Sequence, residues 1–253
     1  QAAMLPFVPP RRIKMLKEGE YDLGVVVAYG QLLSQEFLDT FQYGCVNVHS
    51  SLLPRWRGAA PMQRAIMAGD KKSGVSLQKI VKKLDAGDVI AERPLDIPLE
   101  MGTRELYTQL SFSGASLLTT ELVEFLKGDR AATPQDESLV TVAKKIQKAE
   151  AAIDWTQSGI DVHNKIRGLD MGGPYAQTRF RGKGLKIHQS LWRERDHSAQ
   201  PGMIVDVGRD SFHVACGSDE IEVFQVQPES KAKMQAADFI RGYHIKEGDC
   251  FES

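Results

Sequence analysis

The sequence predicts an α/β fold: a Rossmann-like domain with a parallel sheet, followed by a small β-rich domain. Two apolar runs rich in β-branched residues, 22–28 and 44–49, flank a helix-like stretch at 34–40. A strand, a helix and a second strand at this spacing are typical of a βαβ unit, whose functional site lies at the carboxyl ends of the strands. After residue 153, short alternating segments separated by Gly or Pro indicate a small barrel or sandwich.

The other elements follow from periodicity and from capping residues. Ser34 is suited to cap the first helix, and Gly128 to end the longest one. Helices are predicted at 34–40, 61–69 and 103–127, and strands at 22–28, 44–49, 75–80, 89–95, 175–180, 185–189, 202–207, 212–216 and 221–227. The polar stretch 131–147 has no periodicity and is predicted to link a first domain at 1–130 to a second at 148–253.

The composition is that of an ordinary soluble protein. The 253 residues carry a net charge of −1, so a nucleic-acid contact would need a local basic patch. The three cysteines are far apart and lack CxxC spacing, which predicts neither a disulfide framework nor a metal site and fits a reducing cytoplasm. No apolar run approaches the roughly 20 residues of a membrane helix, so no membrane association is expected.

Three polar residues mark a candidate site. Asn47 and His49 are two apart on a predicted strand and share a face, and Asp85 lies in a turn that the parallel sheet would bring beside them. An amide, an imidazole and a carboxylate suit acyl transfer to an amine. The amide stabilises a developing oxyanion, the imidazole gives or takes a proton, and the carboxylate orients the ring. No Ser or Cys nucleophile is implied, which favours direct transfer. Taken singly, each residue is more simply explained as an ordinary polar residue of a strand end or turn.

Longer motifs around these residues carry a family resemblance. Residues 47–61 (NVHSSLLPRWRGAAP) followed by 84–88 (LDAGD) resemble the methionyl-tRNA formyltransferases, within the formyltetrahydrofolate-dependent formyltransferase family. The Asn-x-His…Asp trio and an SLLP-like loop are shared by the broader family, whereas RWRGAAP resembles the tRNA enzymes. Residues 153–155, 201–204 and 227–242 are similar to the C-terminal domain of that family.

The resemblance implies an activity and a co-substrate. A formyl group would pass from 10-formyltetrahydrofolate to methionyl-initiator-tRNA for bacterial-type translation initiation, without a metal, with Asn47, His49 and Asp85 as the catalytic residues. The folate site would be formed by Ser51, Leu52, Leu53 and Pro54, and the pterin pocket would be lined by backbone around Val27, Ala28 and Tyr29. Leu52 and Leu53 are also explained as apolar anchors of the loop.

The resemblance further implies that the second domain is an OB-like barrel that binds tRNA. The stretch 165–195 is rich in basic residues with interleaved aromatic residues, as in barrels that bind single strands. The alternative is a solvated basic face with aromatic residues in the core. The predicted tRNA contacts are Arg55 and Arg57 at the acceptor end, and Arg179, Arg181, Lys183 and Lys186 on the barrel. Arg55 and Arg57 are explained equally well as partners of surface acids.

Two departures from the family keep alternatives open. The family has two strands, a helix and a basic loop before the equivalent of residues 5–9, so the chain is expected to lack the family's N-terminal segment. Residues 171–174 (MGGP) replace a run that resembles Asn-Pro-Trp-Pro. The alternatives are a formyltransferase for an amino-sugar nucleotide or a purine precursor, a hydrolase of the formyl donor, and a non-catalytic tRNA-binding fragment. The family suggests a monomer in the cytoplasm, or in an organellar matrix if the source is eukaryotic.

Overall fold

The computed structural model describes residues 21–29 and 33–252. These described residues form two compact units, one of the described residues up to 59 with 74–95 and 110–143, the other of 60–73, 96–109 and 144–252. Along the chain the elements are β1 (Gly24–Val27), α1 (Gln35–Leu38), β2 (Cys45–His49), β3 (Arg57–Gly58), α2 (Pro61–Met67), β4 (Lys72–Lys79), β5 (Val89–Asp96), α3 (Thr103–Thr119), α4 (Glu121–Lys127), β6 (Val142–Ala143), α5 (Gly159–Gly168), β7 (Gln177–Phe180), β8 (Lys183–Arg193), β9 (Ile204–Val207), β10 (Phe212–Ala215), β11 (Glu220–Pro228), β12 (Met234–Gln235), α6 (Ala236–Tyr243) and β13 (Phe251–Glu252).

The first unit is built on a four-stranded sheet with the order β1-β2-β4-β5. β1 and β2 are parallel, and α1 lies between them in the chain with Ser34 Oγ accepting from the Phe37 N–H at 3.2 Å. The predicted βαβ start is therefore present. β4, however, runs antiparallel to β2, so the sheet is mixed rather than wholly parallel. β1 is the end strand of the described sheet, and its last residue, Val27, is 58% exposed.

The predicted long helix at 103–127 is interrupted at Thr120, where α3 ends and α4 begins. The Thr120 hydroxyl donates to the Ser116 carbonyl at 2.9 Å, and the Thr119 hydroxyl lies 3.1 Å from the same oxygen. Hydroxyls that bond back to the preceding turn compete with the helical backbone bonds and bend helices. Gly128, with φ +85°, ends α4 as predicted.

The second unit contains the expected small barrel. Its sheet has the order β13-β7-β8-β11-β10-β9. The two ends are joined by backbone bonds from Ile204 N to Asp249 O at 2.7 Å and from Phe251 N to Gly202 O at 2.8 Å, which close the sheet on itself. The interior holds a contiguous apolar cluster that includes Phe212, Phe239 and Trp155, each at most 1% exposed. Phe180, an aromatic residue of the basic stretch 165–195, belongs to this core at 5% exposure.

Buried polar contacts in the second unit attach residues 96–109 to α5. The Arg167 guanidinium donates to the Met101 carbonyl at 2.8 Å, and the Thr103 hydroxyl donates to the Gly168 carbonyl at 2.8 Å. His163 Nε2 lies 3.0 Å from the Leu99 carbonyl, and burial holds the pKa of this imidazole below its ordinary value. Arg167, part of the basic stretch 165–195, is thus an internal structural residue.

None of the helices in the described part of the chain is both long and apolar enough to cross a membrane. No group of three or more His, Cys, Asp or Glu side chains within the described ranges is placed to hold a metal ion. Cys45 and Cys216 are buried, and burial raises the pKa of their thiols to about 11 and about 12.

Candidate active site

Asn47 and His49 occupy the last half of β2, on one face of the strand. Parallel pairing with β1 places Asn47 beside Val26, and antiparallel pairing with β4 places it beside Gln78. His49 is 6% exposed, whereas Asn47 is half-buried. The central strand therefore carries an imidazole held inside the unit and an amide closer to the surface.

Asp85 reaches His49 from a turn that follows β4. The Asp85 backbone has φ +48°, and Gly87 lies so close to β4 that a Cβ there would be 1.9 Å from the Lys79 carbonyl oxygen. The turn can approach the strand because residue 87 has no side chain. Asp85 Oδ2 lies 3.6 Å from His49 Nδ1 and accepts the Gly58 N–H at 2.8 Å. The structure thus brings two of the predicted catalytic groups together.

The other nitrogen of His49 faces a backbone carbonyl. His49 Nε2 lies 2.9 Å from the Trp56 oxygen, and Trp56 has a left-handed backbone with φ +64°. A carbonyl oxygen only accepts hydrogen bonds, so Nε2 is the nitrogen that carries the hydrogen. Nδ1 is then the nitrogen available to exchange a proton, and Asp85 stands on that side, where it would stabilise the imidazolium.

Residues 51–54, the predicted folate loop, are anchored by hydroxyl groups and apolar side chains. The buried Ser51 hydroxyl donates to the Arg55 carbonyl at 2.6 Å, and Leu53 N–H donates to Ser76 Oγ at 3.0 Å. Leu53 is 7% exposed, and Leu52 packs so near Gly74 that a Cβ there would be 2.4 Å from Leu52 Cδ2. Both leucines therefore have the anchoring role that was the alternative explanation, and the predicted folate contacts of residues 51–54 stay a prediction.

The predicted pterin-lining residues lie at the carboxyl end of β1. Val27 pairs with Val48 in the sheet, one residue before His49. Val27 and Ala28 are exposed, and Ala28 has φ +51°, which turns the chain away from the strand direction. Together with Tyr29 they form an accessible strand end in the same unit as His49.

Two glutamines that sequence reasoning did not single out hold the Asp85 turn. Gln78 Nε2 donates to Asp85 Oδ1 at 3.1 Å. Gln135 Nε2 lies within donating distance of three acceptors: Asp85 O at 2.9 Å, Gly87 O at 2.7 Å and Gln78 Oε1 at 3.3 Å. Gln78, only 1% exposed, could have been noticed as a polar residue in an apolar strand run. Gln135 lies in the predicted linker, where no sequence pattern marks it.

Arg55 and Arg57 have different surroundings. Arg55 is exposed, and its guanidinium lies over the Trp56 ring at 4.4 Å from the centroid. Arg57 is 4% exposed and donates to Gln135 Oε1 at 3.0 Å and to Glu137 Oε1 at 2.9 Å. Hydrogen bonds from Lys83 and from Arg57 hold the pKa of the Glu137 carboxyl below its ordinary value. Arg57 therefore has internal partners, and its predicted tRNA contact stays a prediction.

The basic residues of the barrel fall into two groups. Arg181 donates to Tyr243 O at 2.9 Å and pairs with Asp249 at 3.1 Å, and Arg179 donates to Gly182 O at 2.6 Å. Lys183 and Lys186 of β8 form no ion pair with any residue in the described part of the chain. Lys186 also lines a surface cleft of about 240 Å³ with Gln177 and Gln227. Two cations of the predicted tRNA set thus remain without an acidic partner among described residues.

Formyl transferase family models and solved structures of similar fold match this chain. The family model described as formyl transferase matches residues 8–122, and the model of the formyl transferase C-terminal domain matches residues 145–244. The fold is similar to that of HypX from Aquifex aeolicus in complex with tetrahydrofolic acid, with a TM-score of 0.68 and 20% identity over 92% of this chain and 42% of that larger protein. It is also similar to an N-formyltransferase from Helicobacter canadensis, with a TM-score of 0.63 and 17% identity over 78% of this chain and 70% of that chain.

Curated relatives match over almost the whole sequence. The methionyl-tRNA formyltransferase of Bdellovibrio bacteriovorus is 50% identical over 243 residues, which are 95% of this chain and 76% of the relative. The methionyl-tRNA formyltransferase of Bacillus subtilis is 36% identical over 252 residues, covering 97% of this chain and 79% of the relative. The chain therefore belongs to the methionyl-tRNA formyltransferase family.

Proposed function

We propose that the protein transfers a formyl group from 10-formyltetrahydrofolate to the α-amino group of methionyl-initiator-tRNA. The observation that carries the proposal is that Asp85 Oδ2 lies 3.6 Å from His49 Nδ1, and that Asn47 lies on the same strand as His49. The curated relatives name the tRNA substrate for their own sequences. The same proposal places a monomeric enzyme in the cytoplasm, where aminoacylated tRNA is used.

Each catalytic group has a distinct role in direct transfer. The attacking nitrogen forms a bond to the formyl carbon, the bond from that carbon to the donor nitrogen breaks, and one proton passes from the amine to the departing nitrogen. The Asn47 amide donates to the formyl oxygen as negative charge develops there. His49 moves the proton through Nδ1, while the Nε2–H group continues to donate to the Trp56 carbonyl. Asp85 stabilises the imidazolium that forms during this transfer.

The surroundings of His49 fit a folate co-substrate. The exposed Val27 side chain offers an apolar surface for a flat heteroaromatic ring, and the strand end at Ala28 and Tyr29 offers backbone donors and acceptors. The predicted loop 51–54 stays in the proposal as the second wall of this site, since Leu53 N–H and Ser51 O are both fixed by Ser76 Oγ, at 3.0 and 2.7 Å. Such a fixed loop would bind the co-substrate with little ordering cost.

The tRNA contacts are proposed for Arg55 at the acceptor end and for Lys183 and Lys186 on the barrel, with Arg179 beside them. Arg181 is less suited to a test, because reversing its charge would also break its contacts to Tyr243 and Asp249.

We expect the double variant Lys183→Glu/Lys186→Glu to weaken tRNA binding while the protein stays folded, since neither lysine has an acidic partner among the described residues. If each lysine neutralises one phosphate, the slope of log affinity against log salt should fall by about two. Binding is measured by filter retention over a salt series, with Lys127→Glu as a control at the exposed end of α4. Equal affinity and slope in wild type and double variant would remove these lysines from the tRNA site.

The proposed reaction is tested by its products. The protein is incubated with 10-formyltetrahydrofolate and methionyl-initiator-tRNA, and the formyl group is followed into tRNA and into formate. Formyl-methionyl-tRNA supports the proposal, whereas formate alone indicates a hydrolase. Transfer only to an amino-sugar nucleotide or a purine precursor indicates another formyltransferase. Binding of tRNA without any turnover indicates a non-catalytic tRNA-binding protein.

A further inference from the structure

We propose that one segment outside the catalytic trio, residues 133–143, positions both groups that face the His49 ring. The inference rests on the proposed function, because it concerns the geometry of its catalytic histidine. The segment contacts the turn that carries Asp85 through Gln135 and the loop that carries Trp56 through Thr141. Gln135 and Thr141 are therefore assigned as positioning residues, not as groups that touch substrate.

The segment is attached at both ends to other parts of the first unit. It begins with a pair of backbone bonds between Thr133 and Val89, both 2.8 Å, and it ends with β6 pairing in parallel with β3. A Cβ at Gly58, where φ is +124°, would lie 2.8 Å from the Ala143 oxygen, so loop and segment are in close contact. Because both ends of the segment are fixed, Gln135 and Thr141 between these ends are held in place.

On the Asp85 side, the contacts form a chain with a defined direction. The Arg57 guanidinium can only donate, so Gln135 Oε1 accepts at 3.0 Å and Gln135 Nε2 points to the Asp85 turn. A carboxylate only accepts, so Gln78 Nε2 donates to Asp85 Oδ1, and Gln78 Oε1 then faces Gln135 Nε2 at 3.3 Å. The chain therefore orients the carboxylate that stands beside His49 Nδ1.

On the Trp56 side, a single residue holds the carbonyl that sets the His49 tautomer. Thr141 Oγ1 accepts the Trp56 N–H at 2.9 Å, and Thr141 O accepts the Arg57 N–H at 2.9 Å. The Arg57 N–H belongs to the same peptide as the Trp56 oxygen that lies 2.9 Å from His49 Nε2, and the Trp56 N–H belongs to the preceding peptide. The backbone of Trp56 is in the left-handed region, which a non-glycine residue keeps only when its surroundings hold it there.

The test uses two isosteric substitutions with matched controls. Thr141→Val removes the acceptor and keeps the shape, whereas Thr141→Ser keeps the hydroxyl. Gln135→Met removes both polar ends of the side chain, and Gln200→Met makes the same change at an exposed glutamine. We expect kcat to fall about 10- to 100-fold in Thr141→Val and Gln135→Met, because small displacements of a catalytic group cost up to about 100-fold. KM for the folate should stay within about twofold of wild type, since the segment is not assigned to folate binding.

A second readout does not depend on turnover. At a pH where the His49 ring is neutral, its nitrogen chemical shifts report which nitrogen carries the hydrogen. The His49 signals are identified among those of the six histidines by comparison with the spectrum of His49→Asn. Wild type and Thr141→Ser should show the hydrogen on Nε2, and Thr141→Val should show a mixture. Unchanged tautomer and unchanged kcat in both test variants would overturn the inference. If His49→Asn itself keeps wild-type turnover, the catalytic proposal fails instead, and the tautomer measurement still decides the role of the segment.

Discussion

Replacing His49 by Ala or Asn should lower kcat/KM for formyl transfer by about 10²- to 10⁴-fold, the usual contribution of a positioned general acid–base group. The ring is buried, with one nitrogen 2.9 Å from the Trp56 carbonyl and the other 3.6 Å from the Asp85 carboxylate. An Asn side chain can still form a hydrogen bond but has no group that exchanges a proton near neutral pH. The loss is therefore expected in kcat, and folate binding should be retained.

The matched control for this substitution is His244→Asn. His244 is exposed at the end of α6 with φ +52°, a backbone conformation that Asn tolerates. Single-turnover rates with methionyl-tRNA and unfolding midpoints are measured for wild type and the variants. A His49→Asn protein that is folded and transfers formyl at the wild-type rate would end the mechanism proposed here, whatever the behaviour of the control.

The shared strand face of Asn47 and His49 was predictable because it depends on local periodicity alone. Asn47 and His49 are two residues apart on a strand, so the period of the strand alone places them on one face. Strands of the barrel were predictable for the same reason, as alternation between buried and exposed side chains persists in β7 and in much of β8. In each of these cases the deciding contacts are between residues close in the sequence.

The direction of β4 and the break between α3 and α4 were harder to predict from the sequence. A buried strand such as β4 has the same residue pattern whether it runs parallel or antiparallel to its neighbour, because its direction is set by the path of the preceding chain. The interruption between α3 and α4 depends on where the Thr120 hydroxyl points. Apolar periodicity continues across it, so the pattern predicted one helix.

The residues that hold the catalytic groups could not be predicted from the sequence. Gln135 lies 50 residues from Asp85 and Thr141 lies 85 from Trp56, and nothing in a polar, aperiodic stretch indicates which of its side chains face inward. For Arg57, pairing with a surface acid was one of the two explanations given, and Glu137 is such a partner, whereas the contact with Gln135 could not be predicted. Contacts between residues so far apart in the sequence are determined by tertiary packing.

Asp85→Asn is the second substitution with a large expected effect. Asp85 Oδ1 accepts from Gln78 and Oδ2 accepts from Gly58, so both carboxylate oxygens face donors. An Asn amide would turn its own N–H groups toward one of these donors. Rotation of the Gln78 amide would not compensate, since it would turn the Gln78 N–H groups toward the donor Gln135 Nε2, 3.3 Å from the present position of Gln78 Oε1. We expect kcat to fall about 10²- to 10³-fold, from loss of the charge beside His49 and displacement of the turn.

A double variant separates these two causes. In Asp85→Asn/Gln78→Glu the carboxylate at 78 accepts from both Gln135 and the new amide, so the hydrogen bonds are restored but the charge is moved away from His49 Nδ1. The control Asp88→Asn removes a carboxylate from the same turn that lies 3.9 Å from Lys79 Nζ. We expect the unfolding midpoint of the double variant to recover toward wild type while its single-turnover rate stays low. Recovery of the rate together with the midpoint would show that Asp85 acts through position alone, and the electrostatic role assigned to its carboxylate would have to be withdrawn.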